Sequence, residues 1–326
     1  MKYSISTGLA LSVLLAIATP GLAQTIFDDT IGSSSLNSAT PGAPTASSTS
    51  YQIIATKATT SPNIGAGDLH LSLGNTAGSG NGFEIQALFT VAPVTLATVG
   101  DYILLNVTFV NTGGFLTTAN GSLNLGLYNS GGVGPLAGGL TSLTTSTAPT
   151  GGAQNWLGYV GQLQQTHQYI NTRAAQTTGT ANNNQDVTTA GGVSSTKGYN
   201  NPPQSHIGTS GTATLALTTG NQYTFSEEIQ LTASGTLTLS ETLYNGASTN
   251  GTVVAGTALS NSTGSPLTTT FDALAFGVYQ SSSAIATLDV SEIKIDALVQ
   301  SVPEPSAFAL AGLGLACWGA RFRRTI

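Results

Sequence analysis

The chain has one cysteine, one methionine and two tryptophans in 326 residues, and only 7% of its residues are charged. A single cysteine cannot close an intramolecular disulfide and excludes a zinc site built on paired thiolates. Stability must therefore come from ordinary packing. Positive charge is scarcer still. Between Gln24 and Val302 only Lys57, Arg173, Lys197 and Lys294 oppose thirteen acidic residues, a balance of minus nine. Nucleic acid and anionic lipid are thereby excluded as partners, because both are held by Lys and Arg that neutralise phosphates. Catalytic signatures are missing too. His70, His167 and His206 show no metal-ligand spacing, no Gly-x-Ser-x-Gly opens a helix, and Gly131-Gly132-Val133-Gly134 lacks the Lys-Ser/Thr ending of a phosphate loop. Glycine, serine, threonine and asparagine fill the space instead, offering neutral hydroxyl and amide groups suited to sugars.

The two ends carry the clearest signals. Lys2, the apolar stretch Leu9 to Ala18, then Pro20, Gly21 and Ala23 form a secretory signal cut between Ala23 and Gln24. At the other end stand Val302-Pro303-Glu304-Pro305, the uncharged run Ser306 to Ala320, and the basic cluster Arg321, Arg323 and Arg324. As a helix this run spans roughly 23 Å, short of the roughly 30 Å hydrocarbon core of a bilayer. The arginines after it would stay cytoplasmic, which places the body outside, as the export signal also requires. Pro303 and Pro305 keep the preceding strip extended, a conformation suited to a protease cleft. Cys317, inside the apolar run, reads as a small apolar residue.

This tail resembles the PEP-CTERM sorting signal: Pro303-Glu304-Pro305, the span 306–320 and the three arginines each match its pattern. The resemblance implies an exosortase-type processing enzyme and the export translocon as partners, in a Gram-negative bacterium that makes exopolysaccharide. It also implies transient anchoring in the inner membrane, followed by release to the cell surface or the extracellular matrix. The Asn-x-Ser/Thr sites at Asn106, Asn120, Asn250 and Asn261 then carry no eukaryotic glycosylation meaning.

Residues 24–301 form the body, long enough for one large β domain. Period-two alternation at Leu69/Leu71/Leu73, Phe83/Ile85/Ala87/Phe89, Ile103/Leu105/Val107/Phe109, Leu123/Leu125/Leu127, Leu215/Leu217, Leu237/Leu239 and Ile293/Ile295 predicts half-buried strands. Turn residues separate them at 75–82, 111–114, 129–134, 220–221, 245–246 and 250–251. An all-β, antiparallel sandwich follows. Residues 154–211, rich in Asn, Gln and Thr, break the rhythm and read as a long, partly irregular excursion. Its Trp156, Tyr159, Tyr169 and Tyr199 either stack on sugar rings or fasten the excursion to the sandwich. Val99-Gly100-Asp101-Tyr102, Leu125-Gly126-Leu127-Tyr128-Asn129-Ser130, the 223–243 hairpin and Phe271 to Gly277 resemble secreted concanavalin A-like or LamG-like proteins. That resemblance implies a jelly-roll fold and carbohydrate or adhesive roles, with no fixed enzymatic activity.

One feature of the body invites chemistry. Leu231 to Leu237 reads as a hairpin with a turn at Ala233 to Gly235, whose register sets Leu231 opposite Leu237, Ile229 opposite Leu239 and Glu227 opposite Glu241. Two carboxylates then share an otherwise apolar face. At about 5 Å between Cβ atoms they repel unless one is protonated or a cation lies between them. Three readings follow: a retaining-glycosidase pair, a calcium site completed by Asp272 or Asp289, or two solvated charges where the hairpin end leaves the core or a bulge flips the parity. The Glu-x-Asp-x-Glu strand motif of jelly-roll β-glucanases is absent. The expectation is thus a non-enzymatic, exported, exopolysaccharide-associated structural or adhesive protein without a cofactor. Calcium-assisted glycan binding and a divergent polysaccharide-cleaving enzyme are the alternatives.

Overall fold

A computed structural model describes residues 22–41, 43–55, 62–65, 67–73, 81–115, 121–140, 151–175, 185–188, 204–212, 215–280 and 286–300. The signal segment up to residue 21 and the tail from residue 301 lie outside the described residues, so the sorting motif, the apolar span and the arginine cluster receive no structural account. The described chain opens with β1 (Gln24–Asp29), β2 (Ser35–Leu36), β3 (Ser50–Ala55), β4 (Asn63–Gly65) and β5 (Asp68–Leu73). Then come β6 (Asn81–Leu88), β7 (Val94–Thr95), β8 (Tyr102–Gly113) and β9 (Gly121–Asn129). A 3-10 turn at Gly152–Asn155 leads into β10 (Leu157–Gln164), β11 (Gln168–Arg173) and β12 (Gln204–His206). The last third holds β13 (Gln222–Ala233), β14 (Thr236–Asn245), β15 (Val253–Thr263), β16 (Thr270–Phe271), β17 (Ala273–Gln280) and β18 (Ala286–Leu298).

These strands make two eight-stranded sheets. The first runs β15-β14-β13-β8-β18-β5-β4, with β1 also paired to β18; the second runs β12-β11-β10-β9-β17-β6-β3-β2. Strands distant in sequence lie side by side: β8 sits between β13 and β18, and β17 between β9 and β6. The chain repeatedly crosses from one sheet to the other, the winding of a jelly roll. All pairings between the long strands are antiparallel, and the two-residue β2 is parallel to β3.

Alternation sorts the residues as expected. Ile103, Leu105, Val107 and Phe109 of β8, and Leu69, Leu71 and Leu73 of β5, face Leu123, Leu125 and Leu127 of β9 and Leu274, Phe276 and Val278 of β17 in one continuous core. Each large aliphatic or aromatic side chain removed from water contributes about 1.5–3 kcal/mol. Burial on this scale, with no disulfide, holds the sandwich together.

Two expectations need correction. Residues 154–211 are not one irregular excursion, because 157–164 and 168–173 are full strands of the second sheet and 204–206 pair with β11. Their apolar rhythm is hidden because β10 is buried over Gly158–Leu163 on both faces at once, and such strands do not alternate. Leu215 and Leu217 are buried as expected but are not in a strand. Their backbone is held elsewhere: the Leu215 amide donates to the Gln165 carbonyl at 2.8 Å, and the Leu217 carbonyl accepts from Asn111 Nδ2 at 3.4 Å.

Candidate functional site

The outward face of the second sheet carries polar residues in rows, fixed by strand register. One row crosses Glu84 of β6, Gly277 of β17, Asn124 of β9, Gln162 of β10 and Tyr169 of β11. The next crosses Gln52, Gln86, Ala275, Gly126, Val160, Asn171 and His206. Glu84, Gln86, Asn124, Gln162, Asn171 and Arg173 are all buried. Their cover includes residues 151–156 and 185–188, and a second small core of Tyr128, Ala153, Trp156, Val187, Ala273 and Ala275 seals the contact.

Residues 185–188 lie across this face much as an extended ligand would. Glu84 accepts from the Val187 amide at 2.9 Å, from the Thr188 amide at 2.8 Å and from the Thr188 hydroxyl. Tyr128 Oη donates to the Val187 carbonyl at 2.8 Å, and Gln86 Nε2 donates to the Gln185 carbonyl. Gly277 gives Thr188 its space, since a Cβ there would collide with the Thr188 side chain. Burial, then the neighbouring Asp186, push the Glu84 carboxyl well above the usual carboxylate range, while the Thr188 and Val187 donors pull it back. Arg173, drawn down by burial, donates from Nη1 to the Gln154 carbonyl at 3.1 Å and to the Trp156 carbonyl, with Glu84, Asp186 and Tyr128 within electrostatic reach.

At the open end of the face stands a stack of rings. Tyr169 lies 5.8 Å from His167 at 10° and 4.9 Å from His206 at 29°. Both histidines are exposed and Tyr169 is half-buried. Asn171, two residues along β11 from Tyr169, keeps its buried Nδ2 without a hydrogen-bond partner, as do Asn124 Oδ1 on β9, Gln86 Oε1 on β6 and Gln52 Oε1 on β3 farther across the sheet. The other excursion aromatics fasten the fold. Trp156 Nε1 donates to the Val133 carbonyl at 2.8 Å and Tyr159 Oη to the Thr268 carbonyl at 3.0 Å, both side chains being buried. Tyr199 lies outside the described residues.

The predicted carboxylate pair is present in the expected register. Glu227 faces Glu241, flanked by Phe225 opposite Leu243 and Ile229 opposite Leu239, and Gly235 takes φ 71° in the turn. Their environment overturns the reading as solvated surface charges, since Glu227 is 1% and Glu241 0% exposed. The hairpin's bulge falls between Leu231 and Ala233, beyond the pair, so parity at the glutamates is kept. All four carboxylate oxygens lack a hydrogen-bond partner. Both side chains point between the sheets, and a Cβ on Gly161 of β10 would come within 2.8 Å of Glu241 Cδ.

Burial, then Glu241, push the Glu227 carboxyl well up, against a smaller downward pull from the Gly161 amide. Burial does the same to Glu241 against Gln168, whose Nε2 is engaged by the Glu241 and Thr257 carbonyls at 3.2 and 3.0 Å. The proposed extra calcium ligands are occupied elsewhere. Asp272 accepts from the Ser130 amide and hydroxyl, each at 2.7 Å, and Asp289 meets His70 at 2.5 Å. Among the described residues no group of three His, Cys, Asp or Glu could hold a metal ion.

Alternation placed Glu227 and Glu241. The outer-face set of Glu84, Asn124, Asn171 and Arg173 was missed, and its local trace is a glycine inside an otherwise apolar strand, Gly277, a mark of close approach by another chain segment.

Residues 301–324 match the family model of the PEP-CTERM protein-sorting motif. The chain ends in a sorting signal. Such a tail implies an exported protein that meets a membrane on its way; among the described residues no helix is long and apolar enough to cross one, and the tail is not among them. No curated protein matches the chain. Among solved structures, the Emp47p carbohydrate recognition domain aligns with 75% of this chain and 87% of its own, at 9% identity and a TM-score of 0.38. Lectin I from Ulex europaeus, in complex with the methyl glycoside of α-L-fucose, aligns with 76% and 92%, at 14% identity and 0.40. An endo-β-1,4-glucuronan lyase from the fungus Trichoderma reesei aligns with 73% and 86%, at 10% identity and 0.37. These likenesses assign neither a residue nor a ligand to this chain.

Proposed function

We propose that this is a non-catalytic, exported protein of the cell surface or extracellular matrix, processed at its tail by an exosortase-type enzyme and associated with extracellular polysaccharide. The observation that carries the polysaccharide reading is the half-exposed Tyr169 stacked between the exposed rings of His167 and His206 at the edge of the second sheet. Rings offer apolar faces to pyranose C–H groups, and amides both donate to and accept from sugar hydroxyls. The acidic balance of the chain favours a neutral glycan, bound with little dependence on salt. A catalytic role is disfavoured because the buried carboxyls do not open onto solvent, and Glu84 is already saturated with donors.

Purified protein should co-sediment saturably with the producing organism's own extracellular polysaccharide at both low and moderate salt. Tyr169→Ala should weaken binding by about tenfold while leaving the melting temperature within a degree or two. Absence of binding by the unaltered protein would refute the glycan reading. For the sorting step, replacing Pro303-Glu304-Pro305 with alanines should leave an unprocessed, membrane-held precursor. Normal processing of that variant would remove the exosortase from the account.

A further inference from the structure

Glu227 and Glu241 are the one carboxyl pair of the described core with no donor on any oxygen. Their surroundings can be named from every side. Along their own strands stand Phe225, Ile229, Leu239 and Leu243. On the flanking strands, Leu105 of β8 is opposite Glu227 and Leu259 of β15 is opposite Glu241. Across the gap between the sheets lie Gly161, Tyr159 and Leu163 of β10 and the neutral Gln168 of β11. Tyr128, on the far side of the second sheet, lies within electrostatic reach of Glu227. The described cations are elsewhere: Arg173 on the outward face of the second sheet, and Lys294 beside Asp296 at 3.2 Å on the solvent side of the first. Among the described residues no cation faces the pair, only the Gly161 amide and neutral Gln168 offer it weak dipoles, and two opposed charges at about 5 Å would in addition repel.

We propose that Glu227 and Glu241 form a proton-held latch between the sheets: neutral, they let the β13–β14 hairpin seat against Gly161, and loss of a proton drives the hairpin off the second sheet. The sign follows from linkage. A carboxyl that keeps its proton when folded but loses it when unfolded stabilises the fold in acid, and that stability drains away as pH rises above the ordinary carboxylate range. Each retained proton lowers the folding equilibrium constant by about tenfold per pH unit in that window. The latch is thus closed in mild acid and weakened in alkali. Gly161 is part of the device, because any side chain there would fill the space that Glu241 occupies.

The test is urea unfolding of the whole exported protein from pH 5 to 9, beside Glu227→Gln/Glu241→Gln, which keeps shape and removes the titration. The midpoint of the unaltered protein should fall with pH clearly more steeply than that of the double variant, which keeps only the slope contributed by other buried carboxyls such as Glu84. Equal slopes for the two would overturn the proposal. Should the variant fail to fold, carbon-13 spectra of labelled glutamate carboxyls in the unaltered protein decide the matter. Two resonances still protonated at pH 7 support the latch, and full ionisation of both overturns it. A midpoint raised by added calcium in the unaltered protein alone would also overturn it, by showing that a cation and not a proton neutralises the pair.

Discussion

Glu84 and the Glu227/Glu241 pair are carboxyls buried to nearly the same depth in one molecule, yet in opposite circumstances. Glu84 sits under residues 185–188 and accepts from two backbone amides and a hydroxyl, with Arg173 nearby. Glu227 and Glu241 sit between two apolar layers with no hydrogen bond on any carboxylate oxygen, only the weak pulls of the Gly161 amide and Gln168. Depth alone therefore says little about what a buried acid does. The first has been turned into a fastener for another segment, and removing it orphans the Val187 amide and loosens that of Thr188. The second fastens nothing as an ion and is tolerable only as a neutral group, so removing it costs the fold little.

This difference can be tested by parallel substitutions. Glu84→Ala should show the largest effect: with the buried Val187 amide left unsatisfied and the Thr188 amide held only by Asp186 at 3.2 Å, stability should drop by about 1–3 kcal/mol, and amide exchange at Val187 and Thr188 should accelerate. Retained protection at those amides would break the comparison. Glu227→Leu/Glu241→Leu should act in the opposite direction, stabilising the protein at pH 8 as measured by urea unfolding, by an amount that grows with pH. A clear loss of stability there would mean that the pair has an unrecognised partner. At pH 5, where both glutamates are neutral, the gain should shrink toward zero.

How far the fold could be read from sequence differs between these places for a physical reason. The hairpin register was legible because Leu231 to Leu237 carries its own turn, and alternation on either side leaves one consistent pairing. Energetic intuition misleads here: bare carboxyls are costly to bury, which favours the reading as two solvated charges, whereas the apolar neighbours in the same register hold the pair inside. The outer face was not legible. Glu84 and its partners at 187–188 are 103 and 104 residues apart, and no local pattern announces a contact of that range. The strand at 157–164 was hidden for a related reason, since both of its faces are covered and alternation vanishes. The tail, by contrast, is read through short-range pattern alone, and there the sequence was sufficient.

The last strand gives the tail a mechanical meaning. β18 lies in the middle of the first sheet, paired with β8 along its length and with β5 and β1 on its other side, and just beyond it the Gln300 amide is held by Asp101 at 2.9 Å. Gln24 of β1 pairs with Ala297, so the start of the body meets the point where the tail leaves. Tension on the tail therefore runs lengthwise into a central strand and loads many cross-strand hydrogen bonds together in shear, where an edge strand would peel them one by one. A pull on the tail is thus taken up at the middle of the sheet, along the direction in which its strands resist most.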